Sequence, residues 1–213
     1  MSQTNLNTLA ELLEKRGRLD GRIFSALQLP RLLRYYEFVL KWNARLHLTT
    51  LIEPSLFFQR HLQESELAES LLLPSIGRIW DLGSGLGIPG LPMAILRDDL
   101  QVCLVEAKRQ KVIFLEEVVS ILKLENVEVI NCRIEVLQDF SVDDCLVTRA
   151  MENLENLIPL ISQMGENCSQ MLFLGSDKLE KIVSSSLPKG FHLARYRIQD
   201  TDRRVVFNLK RST

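Results

Sequence analysis

The chain has 213 residues, 46% hydrophobic and 25% charged, and its 26 Lys+Arg against 27 Asp+Glu leave a formal net charge of −1. That length suits one medium domain with an appendage, and the composition is that of an ordinary globular protein with ample material for a core. No apolar run approaches the ~20 residues of a membrane span, no basic head precedes an apolar block at the N-terminus, and near-neutrality argues against a protein held on nucleic acid by charge alone. A cytoplasmic location is expected.

Residues 1–75 read as a helical N-terminal extension and 76–213 as the main domain. "LAELLEKRG" spaces its leucines for a helix, with Gly17 as its stop. Pro30 opens a helix whose apolar stripe is Leu32, Leu33, Tyr36, Val39 and Leu40, and Pro54 opens another through Phe57, Phe58 and Leu62. After Pro74 and Gly77 the pattern changes. "RIWDLG" is a short apolar strand, "PGLPMAILR" a helix with proline at its first position, "QVCLVE" a strand and "KRQKVIFLEEVVSILKL" an amphipathic helix. "VEVIN" and "CLVTRA" are strands, "LENLIPLISQMG" a helix ending on glycine, "QMLFLG" a strand and "DKLEKIVSSSL" a last helix. The alternation in "FHLARYRIQ" and "RRVVFNLKR" suits two antiparallel strands. Short apolar strands alternating with helices make an α/β fold, a mostly parallel sheet covered on both faces.

Cys103, Cys132, Cys145 and Cys168 form no C-x-x-C pair, and three lie in or beside strands, so buried, inert thiols are expected. His47, His61 and His192 show no metal spacing either; no metal is expected. Basic residues do gather locally, at Arg31, Arg34, Lys41, Arg45 and Arg60 and again in "EAKRQK". Such clusters are a solvated surface or an RNA-binding face.

The stretch "DLGSGLGIPG", Asp81 to Gly90, carries the chemistry. Gly85, Gly87 and Gly90 spell the G-x-G-x-x-G of dinucleotide sites, but the surroundings suit a pyrophosphate poorly. Asp81 ends the first strand, where it repels an anion, and Pro89 removes an N–H that a phosphate wants. A sulfonium ligand with a free amine welcomes that carboxylate. Glu106, closing the second strand, suits a ribose diol, two hydroxyl donors meeting two carboxylate oxygens. An acidic residue, three spaced glycines and a second acidic residue after the next strand form the S-adenosylmethionine pattern. A nicotinamide site and a purely structural glycine turn are the competing readings.

With these residues in view, the chain closely resembles the RsmG (GidB) family of bacterial methyltransferases acting on guanine N7 of 16S ribosomal RNA. The resemblance runs from about Tyr35 to Gly175 and rests on "KWNARLHLTT", "RHLQES", "DLGSGLGIPGLPMAI", "LENVEV", "RIE" at 133–135 and "TRA" at 148–150. It implies a class I S-adenosylmethionine-dependent methyltransferase fold, Rossmann-like, with antiparallel C-terminal strands and a helical extension. It also implies S-adenosylmethionine as cofactor and 16S ribosomal RNA or the small ribosomal subunit as partner; no membrane partner and a monomer are expected. The glycine loop itself offers Asp81, Ser84, Gly85 and Gly87 as cofactor contacts, and the resemblance implies Gly83, Ile88, Glu106, Ile134, Glu135 and Arg149. Ile134 and Glu135 border the adenine, while Arg149 orients the substrate; plain packing, a solvated charge and a strand-end salt bridge are their respective alternatives. Arg60, His61, Arg109 and Lys111 are the RNA-facing candidates, although Arg60-His61 could instead tie the helical segment to the core, and Trp42 and Asn43 read as packing and capping residues. This chain departs from the family pattern at His47 (usually Asn), at Glu64 (usually Asp) and at Leu174 (usually Lys), the last removing a cation near the site. Guanine N7 carries a lone pair and no proton, so the reaction needs no general base and no covalent cysteine. Other outcomes on the same fold are methylation of a small molecule or a protein, or a non-catalytic RNA-binding module with a relict cofactor pocket.

Overall fold

The computed structural model describes residues 3–20, 24–149, 154–198 and 203–212, with residues 16–20 described by their backbone alone. The N-terminal part is helical: α1 (Gln3–Asp20), α2 (Gln28–Leu46), α3 (Pro54–Phe57) and α4 (Gln63–Ser70), the last two joined by a π-helical turn at Phe58–Leu62. Gly17 does not stop α1, which continues to Asp20; one interior glycine costs a helix only ~1 kcal/mol, less than neighbouring turns and packing supply. Helix α2 starts two residues ahead of Pro30, at a reciprocal pair in which Ser25 N–H donates to Gln28 Oε1 (2.9 Å) and Gln28 N–H to Ser25 Oγ (3.3 Å). Pro54 sits in the first turn of α3, where Glu53 caps the helix by accepting from Leu56 N–H.

The remainder alternates: β1 (Arg78–Leu82), α5 (Gly90–Leu96), β2 (Gln101–Val105), α6 (Arg109–Leu122), β3 (Val127–Ile130), β4 (Asp144–Arg149), α7 (Leu154–Met164), β5 (Gln170–Ser176), α8 (Glu180–Ser185), β6 (Phe191–Arg197) and β7 (Arg204–Arg211). These strands make one seven-stranded sheet in the order β3-β2-β1-β4-β5-β7-β6. The neighbours from β3 to β5 are parallel; β7 pairs antiparallel with both β5 and β6, and is therefore the strand that runs against the rest.

Period-two alternation sends each strand's side chains to two cores. Ile79, Val102, Leu104, Val147, Leu172 and Val206 face α4, α5 and α6 and join the buried face of the N-terminal helices (Leu9, Leu32, Tyr35, Val39, Phe57) in one cluster. Leu82, Val105, Leu146, Met171, Phe173 and Phe207 face α7 and α8 in a second. The N-terminal helices thus pack on one sheet face. This leaves the carboxyl ends of the strands lined by loops.

Candidate active site

The strand order reverses between β1 and β4, and the crevice of an open α/β sheet forms at the carboxyl ends beside such a reversal. The glycine loop lies there. Its start is tied to the neighbouring strand, because Gly83 and Ser84 N–H both donate to Val105 O at 2.9 Å. Ser84 Oγ donates to Asp81 O at 2.7 Å. Gly85 and Gly87 take φ of +60° and +89°, a left-handed region that side chains adopt reluctantly. A Cβ on Gly87 would also come within 2.2 Å of Leu91 Cδ1, whereas one on Gly85 would meet nothing closer than 3.8 Å. Gly87 therefore serves close packing of loop on helix, and Gly85 leaves room on the cavity side.

The two carboxylates differ. Glu106, 7% exposed, accepts from Gly85 N–H (3.0 Å, Oε2) and Lys108 N–H (2.7 Å, Oε1). Each oxygen keeps a further lone pair for a hydroxyl donor. Asp81 lies beneath the loop with no exposure; its Oδ2 accepts from Gly90 N–H at 3.1 Å, and its Oδ1 has no partner. Burial pushes its carboxyl up to about 7.

A cavity of about 570 Å³ opens over this end of the sheet. Of the candidates from sequence, Gly83, Ser84, Gly85, Ile88, Glu106, Arg149, Arg60, His61 and Lys111 line it. Asp81 and Gly87 are buried behind its wall. Ile134 and Glu135 lie on the turn after β3, Ile134 packed in the second core and Glu135 exposed, and the cavity lining stops short of them. Arg109 points along α6, its Nη1 3.5 Å from Glu116 Oε1, while Lys108 and Lys111 face the cavity. Ala150 lies outside the described residues.

Arg149 is only 8% exposed at its side chain; its Nε donates to Glu64 Oε2 (2.7 Å) and its Nη2 to Arg60 O (2.6 Å). It borders the cavity as one arm of a strand-end ion pair. Glu64 is wholly buried and is also met by Arg60 (3.2 Å) and, in bidentate fashion, by Arg204 (2.9 and 2.8 Å). Burial alone would raise its carboxyl; the Arg204 hydrogen bonds and the Arg149 and Arg204 charges hold it below the usual range. His61 is 2% exposed, and burial, reinforced by the Arg149 charge, lowers it to about 3, so its ring is neutral. Its Nε2 lies 3.1 Å from Thr49 Oγ1. Asn43 clamps the same segment, donating to Thr49 O (2.9 Å) and accepting from Thr49 N–H (2.8 Å), while Trp42 packs edge-on against Phe114.

Sequence reasoning missed Arg204, the anchoring role of Glu64, and the wall formed by residues 47–51. Arg204 carries no local signal: it reaches the site because β7 reverses and docks beside β5, placing Arg204 opposite Ser176. At 47 a signal existed. His47 caps α2 at φ +47°, a left-handed position where asparagine is favoured and histidine tolerated.

Residues 28–187 match the family profile described as GidB, rRNA small subunit methyltransferase G. The chain is 33% identical over 183 residues to a ribosomal RNA small subunit methyltransferase G of Pseudomonas putida, spanning 85% of this chain and 84% of that one. It is 37% identical over 139 residues to the protein of the same name in Nitrosomonas eutropha, spanning 64% of this chain and 63%, just under two thirds, of that one. Its fold is similar to a ribosomal protein L11 methylase from Lactobacillus delbrueckii subsp. bulgaricus (TM-score 0.58, 16% identity, 72% of this chain and 80% of that one). It is also similar to M. jannaschii TYW2 in complex with AdoMet (TM-score 0.50, 14% identity, 72% and 77%).

Proposed function

The chain belongs to the rRNA small subunit methyltransferase G (GidB) family, and from that premise we propose that it uses S-adenosylmethionine to methylate N7 of a guanine in 16S ribosomal RNA. The observation that carries the cofactor half is Glu106. Its carboxylate is fixed by two backbone N–H groups at the mouth of a glycine loop, with a lone pair left on each oxygen. The unpaired, buried Oδ1 of Asp81 beneath the same loop offers a phosphate no donor, and in its ionised form it favours a cationic ligand.

Bound, the cofactor supplies a methyl group carried on a sulfonium sulfur. The residues bind, orient and exclude water. Glu106 holds the ribose diol, and the bare backbone of Gly83 and Gly85 lets the ligand approach. Thr49, locked by Asn43, and Arg149, locked by Glu64, shape the half of the cavity facing the base. An in-plane nitrogen lone pair needs no base, and the groups present match that demand. His61, the cavity's buried imidazole, is lowered to about 3 and so takes up a proton poorly, and among the described residues no cysteine lines the cavity. Rate would then come from how these residues position the target nitrogen against the cofactor's methyl group.

The test is transfer of a tritiated methyl group from the cofactor to isolated small subunits and to free rRNA, with mass mapping of the modified base. Label at a guanine N7 is expected. Label on a ribosomal protein, on another base position, or none despite cofactor binding overturns the reading. Glu106→Ala should weaken cofactor binding, read by calorimetry, by about 1.5–3 kcal/mol, as for charge-assisted hydrogen bonds; unchanged affinity removes the diol contact.

A further inference from the structure

Glu64 has no exposure, yet three guanidiniums converge on its one carboxylate. The cluster's formal charge is therefore about +2 in a chain whose net charge is −1. The three arginines are not equivalent. Arg149 is 8% exposed and spends its donors on Glu64 and a carbonyl. Arg204 spends Nε and Nη2 on Glu64 at 13% exposure; Arg60 spends Nε alone at 34%. Both line the cavity, and their remaining donors exceed what one buried carboxylate accepts.

Position separates this cluster from the cofactor half. Glu106 follows β2, while Arg149 closes β4 and Arg204 opens β7 beside the end of β5. With neighbouring strands ~4.8 Å apart, β2 and β7 lie ~19 Å apart across the sheet. Leu174 of β5, between Arg149 and Val206 in register, is fully buried and offers no charge. Arg204, opposite Ser176 at the start of β7, brings a cation to that end of the sheet.

Resting on the methyltransferase reading above, we propose that Arg60 and Arg204 form an anion subsite for an RNA phosphodiester flanking the target nucleotide, with Glu64 as the buried counter-ion that sets both forks. Guanidinium forks match phosphate oxygens in pairs, and a carboxylate that pre-orients them lowers the ordering cost of binding. Glu64 is a positioning residue.

The experiment follows a short single-stranded RNA oligonucleotide by fluorescence anisotropy over a salt series, with cofactor binding measured separately by calorimetry and folding by thermal melting. Arg60→Ala is expected to weaken RNA binding about fivefold to tenfold, as for one lost charge-assisted contact, and to lower the salt slope by about 0.7. Arg60→Lys should restore the slope, and cofactor affinity should stay within twofold. Arg204→Gln, which keeps donors for Glu64 but drops the charge, should act likewise; if it melts far below the parent protein, the Arg60 pair decides. Unchanged affinity and slope in folded Arg60→Ala overturn the proposal. So does a loss confined to cofactor affinity, which assigns the arginines to the cofactor's carboxylate. Because RNA binding is read without turnover, a failure of N7 methylation leaves this outcome distinguishable.

Discussion

Asp81 meets a single N–H donor and no solvent, whereas Glu106 meets two donors at the rim of the cavity. The difference has a pH signature. Burial raises Asp81 to about 7 in the fold, against ~3.9 in an unfolded chain, so the native state holds this proton more tightly. Ionising it costs nothing below pH ~4, costs progressively more up to about 7, and costs its full amount above. Asp81→Asn keeps an acceptor for Gly90 N–H and removes that cost. The stability of the variant relative to the parent should therefore grow between pH 4.5 and 7 by up to a few kcal/mol and then level off. Denaturant titrations of both proteins at pH 4.5, 6 and 8 check this, and a pH-independent difference contradicts it.

Helix α2 reaches the glycine loop through one hydroxyl. Tyr35, fully buried, donates to Leu86 O at 2.7 Å, and its neighbour Tyr36 donates to Ile52 O at 2.6 Å. Tyr35→Phe strands the buried Leu86 carbonyl and should cost about 1–3 kcal/mol of stability, whereas Tyr36→Phe, whose acceptor lies on the exposed Ile52, should cost about 0.5–1.5 kcal/mol. They should differ in binding. Tyr35→Phe loosens the segment beside Ile88 and should weaken cofactor affinity severalfold, while Tyr36→Phe should leave it unchanged; calorimetry beside melting curves separates the two. Helix periodicity identifies α2 from sequence, but its stripe of Leu32, Leu33, Tyr36, Val39 and Leu40 leaves out the buried Tyr35, the residue that tethers a loop 51 residues away. The π-turn at Phe58–Leu62 was equally invisible, since its widened ring follows from how α3 and α4 pack rather than from residue type.

At the scale of the molecule, residues 1–75 do not close a core of their own. Leu9, Leu32, Tyr35 and Phe57 share one cluster with Ile79, Leu104, Phe114 and Val206. We propose that the boundary near residue 76 divides chain segments and not independently folding units. A fragment of residues 76–213 would expose the apolar surface of α5 and α6 and leave Leu86 O unpaired. It should show no cooperative thermal transition by circular dichroism; a sharp transition near that of the full chain argues for two folding units.

What the sequence determined by itself was what depends on local backbone and chain order. Strands alternating with helices, the turn that needs glycine at positive φ, and acidic residues closing two successive strands are all readable because each is set by neighbours a few residues apart. Side-chain direction was less legible. Lys111 faces the cavity and Arg109 does not, a choice made by the rotation of α6, and Ile134 with Glu135 fall outside the lining because the turn after β3 folds back on the second core. Only the tertiary structure assembled the ion cluster. Glu64 lies 85 residues from Arg149 and 140 from Arg204, and the three meet because β7 inserts in reverse beside β5 while α4 packs against both strands. A buried carboxylate is tolerable only with its partners in place, and two of the three partners of Glu64 come from strands far from it in sequence.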